Sequence, residues 1–114
     1  MSNLARKVLT YTLEDDIFLM SAILADGVED KFQSQTYIMV NRYDPMTNSV
    51  TFSNIIDSSS LGLPTLKITD ITQDQNNFIY VTDSDTTIYR FKYSSTGQIY
   101  QQRTYHYHDP SDKF

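Results

Sequence analysis

The two histidines of the chain lie close together, in the run Tyr105-His106-Tyr107-His108-Asp109. On a β-strand His106 and His108 would project from one face, because successive side chains alternate between the two faces. Two imidazoles beside a carboxylate can ligate a transition metal, so His106, His108 and Asp109 are the candidate metal ligands. The alternative interpretation is a solvated chain end with no third ligand held in place. A three-histidine site within one chain is excluded by the count.

Arginines stand next to tyrosines or alternate with aromatic residues at three places in the chain. Arginine and tyrosine are enriched among the residues that dominate protein–protein binding. The candidate partner-binding residues are therefore Arg42, Tyr43, Tyr89, Arg90, Arg103 and Tyr105. The alternative is that they form ordinary cross-strand pairs inside a sheet. Nine tyrosines in 114 residues favour some exposure of this residue type, which is common at binding surfaces.

Other kinds of chemistry find little support in the sequence. Aspartates at positions 70, 74, 83 and 85 fall in or beside predicted turns, where aspartate bonds its own backbone, and the EF-hand pattern of calcium sites is missing. The chain lacks cysteine and the G-x-S-x-G elbow, and its three glycines are isolated, so no nucleophile motif or phosphate-binding loop is found. We predict no catalytic residue and no cofactor.

Composition excludes several classes of partner. Lysine plus arginine number 9 against 14 acidic residues, a formal charge of −5, and this balance does not fit a nucleic-acid-binding protein. No apolar run of about 18 residues occurs, and no apolar run follows the first basic residues, so we expect neither a membrane span nor secretion. A cytoplasmic protein without nucleic-acid or membrane partners is the expectation.

Alternating patterns predict one all-β, antiparallel meander of about seven to eight strands. The predicted strands are 5–13, 37–43, 49–55, 66–72, 78–82, 87–93 and 98–107. Residues 13–25 allow two interpretations. One is a short helix with Ile17, Met20, Ile23 and Leu24 on one face, and the other is a buried strand from Ile17 to Leu24, since a short apolar run cannot be assigned from its period alone.

The chain contains an internal repeat. Residues 16–20 resemble residues 77–81, residues 37–43 resemble residues 87–93, and residues 47–50 match residues 96–99. The offset is 61 for the first segment and 50 or 49 for the others, which places an 11-residue insertion in the polar loop 25–35. Insertions are tolerated in such loops, and a period near 50 is within the range of propeller blades.

The two repeats resemble blades of β-propellers of the NHL-like or SMP-30-like kind. The residues that carry the resemblance are 68–71, 74–83, 88–91 and Gly97 in the second repeat and 39–45 in the first. The resemblance implies blade-like repeats at roughly 8–56 and 66–107, followed by a frayed tail at 108–114. Two blades are too few to close a propeller, and the metal-binding Glu and His positions of the family have no counterpart here. The alternative is a small sandwich or barrel.

These features lead to two hypotheses about function. The first hypothesis is a non-enzymatic protein-interaction or structural module that is oligomeric and acts through tyrosine-rich strand surfaces and loops. It rests on two general properties: open sheet edges pair with other chains, and oligomers favour closed symmetry. Its composition is typical of small phage or bacterial proteins. The alternative is a ligand-binding or metal-dependent enzyme subunit, with a site formed between copies of a propeller-like ring. A piece of a larger propeller is a third interpretation.

Overall fold

A computed structural model describes residues 6–25, 36–83 and 87–106 of the chain. These residues form eight strands and one short 3-10 turn at Ser59–Leu61. The strands are β1 (Arg6–Leu13), β2 (Asp16–Ile23), β3 (Ile38–Asp44), β4 (Ser49–Ile56), β5 (Ile68–Gln73), β6 (Ile79–Asp83), β7 (Thr87–Tyr93) and β8 (Ile99–His106). The prediction of an all-β, antiparallel fold is confirmed. In the described part of the chain no helix is long and apolar enough to cross a membrane.

The strands form two sheets, and each sheet follows the order of the sequence. The first sheet has the order β1-β2-β3-β4 and the second β5-β6-β7-β8, with every neighbouring pair antiparallel. Each sheet is therefore an up-and-down meander of four strands. The strands described do not join into one closed sheet.

The helix considered for residues 13–25 is wrong, and the strand interpretation is correct. Glu14 has a positive φ of 56°, and Leu13 pairs with Asp16, so a two-residue turn reverses the chain immediately before β2. Within β2, burial alternates along the strand, with Phe18, Met20 and Ala22 buried. The alternation has the period of a strand, and pairing with β1 and β3 on either side satisfies the backbone.

One core lies between the two sheets. We call the face of each sheet that contacts the other sheet its inner face and the opposite face its outer face. The Phe18 ring meets the Tyr93 ring edge-on, with centroids 5.3 Å apart. The Tyr11 hydroxyl donates to the Tyr93 carbonyl at 2.8 Å and accepts from the Tyr93 N–H at 3.2 Å. These contacts join β1 and β2 of the first sheet to β7 of the second.

Both ends of the segment between β2 and β3 are held by the residues that lead into β5. The Ala25 N–H donates to the Ile68 carbonyl at 2.6 Å, and the Thr36 N–H donates to the Leu66 carbonyl at 3.1 Å. The buried Thr36 hydroxyl also accepts from the Ile68 N–H at 2.7 Å. This hydrogen-bonded junction fixes where the second sheet begins relative to the first.

The two sheets repeat the same register. The pairing of β3 with β4 shifts between Val40 and Asn41, and the pairing of β7 with β8 shifts between Arg90 and Lys92. Positive φ values also recur before the last strand of each sheet, at Asn48 and Gly97. Burial decides the match: Ile38 corresponds to Tyr89 and Val40 to Phe91, all buried, so β3 and β7 correspond at an offset of 51.

The strand pairs then fix the offset between β2 and β6. Ala22 pairs with Ile38, and Val81 pairs with Tyr89, the match of Ile38, so β2 and β6 correspond at an offset of 59 rather than the 61 read from the sequence. Ala22 and Val81 are both buried, and the inner face of the first sheet corresponds to the inner face of the second.

Candidate protein interface

The outer face of the first sheet is apolar and carries no charge across its three central cross-strand rows. Its most exposed members are Val8 at 61%, Phe52 at 59%, Val50 at 56% and Ile55 at 40%. We call this surface the apolar face. Its twelve residues are Val8, Ser21, Met39, Ile55, Thr10, Leu19, Asn41, Phe52, Thr12, Ile17, Tyr43 and Val50.

The outer face of the second sheet combines cations with aromatic rings. The Arg90 guanidinium lies 4.1 Å and the Lys92 ammonium 4.6 Å from the centroid of the Phe78 ring. On the neighbouring strand β8, Arg103 pairs with Arg90, and Tyr100 pairs with Lys92. We call this surface the cationic face. Its residues are Phe78, Tyr80, Arg90, Lys92, Tyr100, Arg103 and Tyr105.

One carboxylate borders the cationic face and is tied to it. Burial would raise the pKa of Asp74, but hydrogen bonds from the Phe78 N–H, the Tyr80 hydroxyl and the Asn76 N–H outweigh that effect and lower it. The same Tyr80–Asp74 hydrogen bond, 2.9 Å long, raises the pKa of the Tyr80 phenol. Asp74 therefore stays ionised, and it fixes the Tyr80 ring on the face.

The structure divides the six candidate partner-binding residues among three environments. Arg90, Arg103 and Tyr105 lie together on the cationic face, and Tyr43 lies on the apolar face, where its hydroxyl bonds the Asn48 side chain at 3.0 Å. The structure thus places four of the six candidates on outer faces, although on two different sheets.

The other two candidates face inward. Tyr89 is only 7% exposed and belongs to the core, because it occupies an inward position of β7; its inclusion among surface residues is corrected here. Arg42 lies on the inner side of β3. Its guanidinium donates to Asp16 at 2.6 Å and to the Ser95 carbonyl at 2.9 Å. Arg42 therefore joins the two sheets and is not available to bind another protein through these donors.

The metal candidates are not brought together by the described part of the structure. His106 ends β8, is exposed and pairs with Thr87, whereas His108 and Asp109 lie outside the described residues. Among the residues that are described, no group of three or more His, Cys, Asp or Glu side chains could hold a metal ion. The proposed metal site stays a prediction.

A shallow groove of about 390 Å³ lies between β4 and the β7–β8 turn. Its described lining residues carry no ionisable group; they are Asn54, Ile55, Ile56, Ser60, Gly97, Gln98 and Ile99. Next to it, a Cβ on Gly97 would lie 3.3 Å from the buried Tyr93 hydroxyl, which has no hydrogen-bond partner as donor or acceptor in the described structure. The groove supplies neither an acid nor a base for catalysis.

The chain matches no known protein-family model, no curated protein and no solved structure. Its class is therefore defined by its architecture alone, an all-β protein of two four-stranded meanders. Sequence reasoning missed the apolar face. The signal was present in β2 and β3, where apolar residues point to both faces of the strand, as in the run Ile17, Phe18, Leu19 and Met20. Such runs are typical of strands that are covered on both faces.

Proposed function

We propose that the chain is a non-enzymatic protein-interaction or structural module that associates with protein through the outer faces of its two sheets. The observation that carries the proposal is the apolar face, which has no charge in its three central rows although the chain has 23 charged residues. Surfaces of this kind on a chain rich in charged residues mark sites that another surface covers.

The size of the apolar face supports this proposal. Four strands about 4.8 Å apart and three rows of side chains cover roughly 19 by 20 Å, on the order of 400 Å². Eight of the twelve side chains on this area are apolar or aromatic. The largest apolar patch of a single-chain protein, about 300–600 Å², is often a functional site. Burying apolar surface contributes about 25 cal/mol per Å², so covering Val8, Val50 and Phe52 supplies a substantial driving force for association.

The cationic face supports the same function in a different way. Arg90 and Arg103 lie beside aromatic rings, and arginine with tyrosine is the combination enriched at the centres of protein interfaces. Positive charge concentrated on one face of a chain with a net charge of −5 also orients an acidic surface as it approaches. Both faces together suit a module that joins two neighbours.

The test is a charge placed in the apolar face. In the double variant Val50→Lys/Phe52→Lys, two exposed apolar side chains become cations, and the matched control Thr65→Lys/Gln75→Lys adds the same charge at exposed positions that belong to neither face. Binding of an apolar fluorescent dye is measured at submicromolar protein, together with Tm. We expect dye binding to fall several-fold in the double variant alone, with Tm within about 3 °C of the wild type in both.

Two results would contradict the proposal. Dye binding that is the same in the wild type and in Val50→Lys/Phe52→Lys would mean that the apolar face is not open. A Tm lowered by more than about 10 °C in that variant, with the control unchanged, would mean that Val50 and Phe52 pack within their own chain. Either result removes the surface on which the proposed interaction depends.

A further inference from the structure

We infer that the open edge of β8 binds an extended acidic segment of a partner protein, which adds a fifth strand to the second sheet and places a carboxylate beside Arg103. This inference rests on the proposed function and names the chemistry of the partner at the cationic face. Two independent observations carry it. One is an edge of β8 that no described strand pairs with, and the other is a pair of arginines beside that edge without a carboxylate.

The first observation is the state of the β8 edge. β8 is the last strand of its sheet and pairs only with β7. Seven of its eight residues are exposed, and they include Thr104, which pairs with the buried Tyr89 on the inner side of the sheet. In the described part of the chain, no backbone hydrogen bond joins β8 to any strand other than β7. Such an edge presents free N–H and C=O groups to a further strand.

A bulge limits how much of this edge can pair. The β7–β8 pairing shifts between Arg90 and Lys92, and Gln101 has a positive φ of 53°. Bulges disrupt the ladder locally and protect a sheet edge from further pairing. From Arg103 to His106 the pairing with β7 is regular. Residues 103–106 are therefore the part of the edge that can accept another strand.

The second observation is a cross-strand row of like charges that ends at this edge. Tyr80 pairs with Arg90, and Arg90 pairs with Arg103. Like charges directly opposite each other on neighbouring strands destabilise a sheet. Neither arginine takes part in an ion pair among the residues that the structure describes. A carboxylate at the next position of the row, beyond Arg103, would offset this repulsion.

The two arginines are held differently, and the difference makes Arg103 the contact residue. The Arg90 guanidinium lies 4.1 Å from the Phe78 ring centroid, and its Nη2 donates to the Gln101 carbonyl at 3.5 Å. The Arg90 Nε is buried and has no hydrogen-bond partner among the described residues. Arg90 is thus a fixed positive charge behind Arg103, whose exposed side chain extends the charge to the edge.

Charge distinguishes the β8 edge from the open edge of the first sheet. β4 is also the last strand of its sheet and is also largely exposed. The outer side chains that border its edge are apolar, namely Val50, Phe52 and Ile55. An acidic strand would meet no cation there, whereas at β8 it meets Arg103. Main-chain hydrogen bonds would supply affinity at β8, and the acid facing Arg103 would select the edge and the register.

The probe is a short fluorescein-labelled peptide in which valine and glutamate alternate. Side chains of a strand alternate between its faces, so all the glutamates point to one face and any such register places one opposite Arg103. Two further versions carry N-methyl groups on the valines only or on the glutamates only, and a third has lysine in place of glutamate. Fluorescence anisotropy measures binding to the full chain, and unlabelled oligothymidylate serves as a competitor.

The protein variants change one charge each. Arg103→Glu reverses the charge at the edge, and it places a carboxylate opposite Arg90, which should not destabilise the sheet. The matched control Arg6→Glu makes the same substitution at an exposed position of the first sheet. Circular dichroism of both variants shows whether the fold is retained.

We expect the wild type and Arg6→Glu to bind the glutamate peptide within about twofold of each other and Arg103→Glu to bind it at least about tenfold more weakly. The lysine peptide should not bind. One methylated peptide should lose binding and the other should keep it, because alternate N–H groups of a strand point to opposite edges. Binding should weaken several-fold as salt rises from roughly 0.05 to 0.5 M.

Four results would overturn the inference. The first is no binding of the glutamate peptide at about 1 mM protein, and the second is equal binding by Arg103→Glu and the wild type. Equal binding of both methylated peptides would show that no strand is added. Oligothymidylate that displaces the peptide at equal concentration would indicate a surface for polyanions in general. The proposed function fails on dye binding or Tm at the apolar face, so the two failures are distinguishable.

Discussion

Two aromatic–cation pairs, one in each sheet, have different surroundings. Phe18 is fully buried, with Arg42 over one side of its ring and the edge of Tyr93 against it at 5.3 Å. Phe78 is partly exposed and contacts cations of its own sheet. Both rings contact a cation of the neighbouring strand. What differs is the presence of a second sheet across from the Phe18 ring, so tertiary contact determines burial.

The same comparison extends to whole faces. Each sheet uses one face for the core and leaves the other open. The two open faces differ in charge, since the apolar face carries none in its central rows while the cationic face carries Arg90, Lys92 and Arg103. Burial should therefore separate the effects of substitutions on the two faces of each sheet.

The largest effect is expected from truncating the two phenylalanines. Phe18→Ala removes a fully buried ring and should lower the free energy of unfolding by about 3–5 kcal/mol, because a cavity remains between the sheets. Phe78→Ala, at a partly exposed position, should cost only about 1 kcal/mol. Urea denaturation of both variants measures the difference. Equal losses would mean that Phe78 is buried as deeply as Phe18.

A smaller effect is expected at the hydrogen bond that joins β1 to β7. Tyr11→Phe removes the hydroxyl that both accepts from and donates to the backbone of Tyr93, and the loss should be about 2 kcal/mol because buried backbone groups are left unpaired. The control is Tyr43→Phe, whose hydroxyl bonds the exposed Asn48 side chain and should cost less than about 0.5 kcal/mol. Chemical denaturation at pH 7 compares the two variants.

The Tyr11 hydroxyl also predicts a pH dependence. Burial raises the pKa of Tyr11 above its ordinary value near 10, although the hydrogen bond to Tyr93 opposes that change. The folded state therefore favours the protonated phenol, and this stabilisation is present below pH 10 and is lost as the pH rises through the folded-state pKa. Between pH 9 and 11 the stability of Tyr11→Phe should fall less steeply than that of the wild type. Parallel curves would contradict this assignment.

The smallest effect, and one of opposite sign, is expected at Tyr93. Its buried hydroxyl has no hydrogen-bond partner among the described residues, whereas its ring packs on Phe18 and Tyr11. Tyr93→Phe keeps the ring and removes the unpaired group, so the protein should gain about 1 kcal/mol. Thermal unfolding measures the gain as a Tm raised by several degrees. A lowered Tm would mean that the hydroxyl does have a partner in solution.

Strand positions could be predicted from the sequence, because period-2 alternation is a local property. The strand 87–93 matches β7 exactly, and the other predicted strands lie within one or two residues of those observed. Residues 13–25 remained ambiguous because the apolar residues of β2 fit either period. The turn at Glu14 makes residues 16–23 a strand rather than a helix. The positive φ of Glu14 could not be predicted from the sequence, because the residue is neither glycine nor asparagine.

The functional surfaces were harder to predict, because exposure depends on what lies across from each sheet. Arg42 and Arg90 look alike in sequence, each on a strand and close to a tyrosine, yet Arg42 faces the second sheet and Arg90 faces outward. Tyr89 was assigned to the surface for the same reason, and it is buried. The apolar character of Val50 and Phe52 is visible in the sequence. The sequence does not show that no other part of the described chain covers these two side chains.

The junction that holds Ala25 and Thr36 to the residues before β5 has a consequence for engineering. Hydrogen bonds to Ile68 and Leu66 fix both ends of the intervening stretch, so its length is uncoupled from the register of β2 and β3. Loop-closure cost rises only slowly with length, about 0.6 kcal/mol per doubling. A reporter peptide or new chain termini introduced at this position should therefore leave the register of both sheets unchanged.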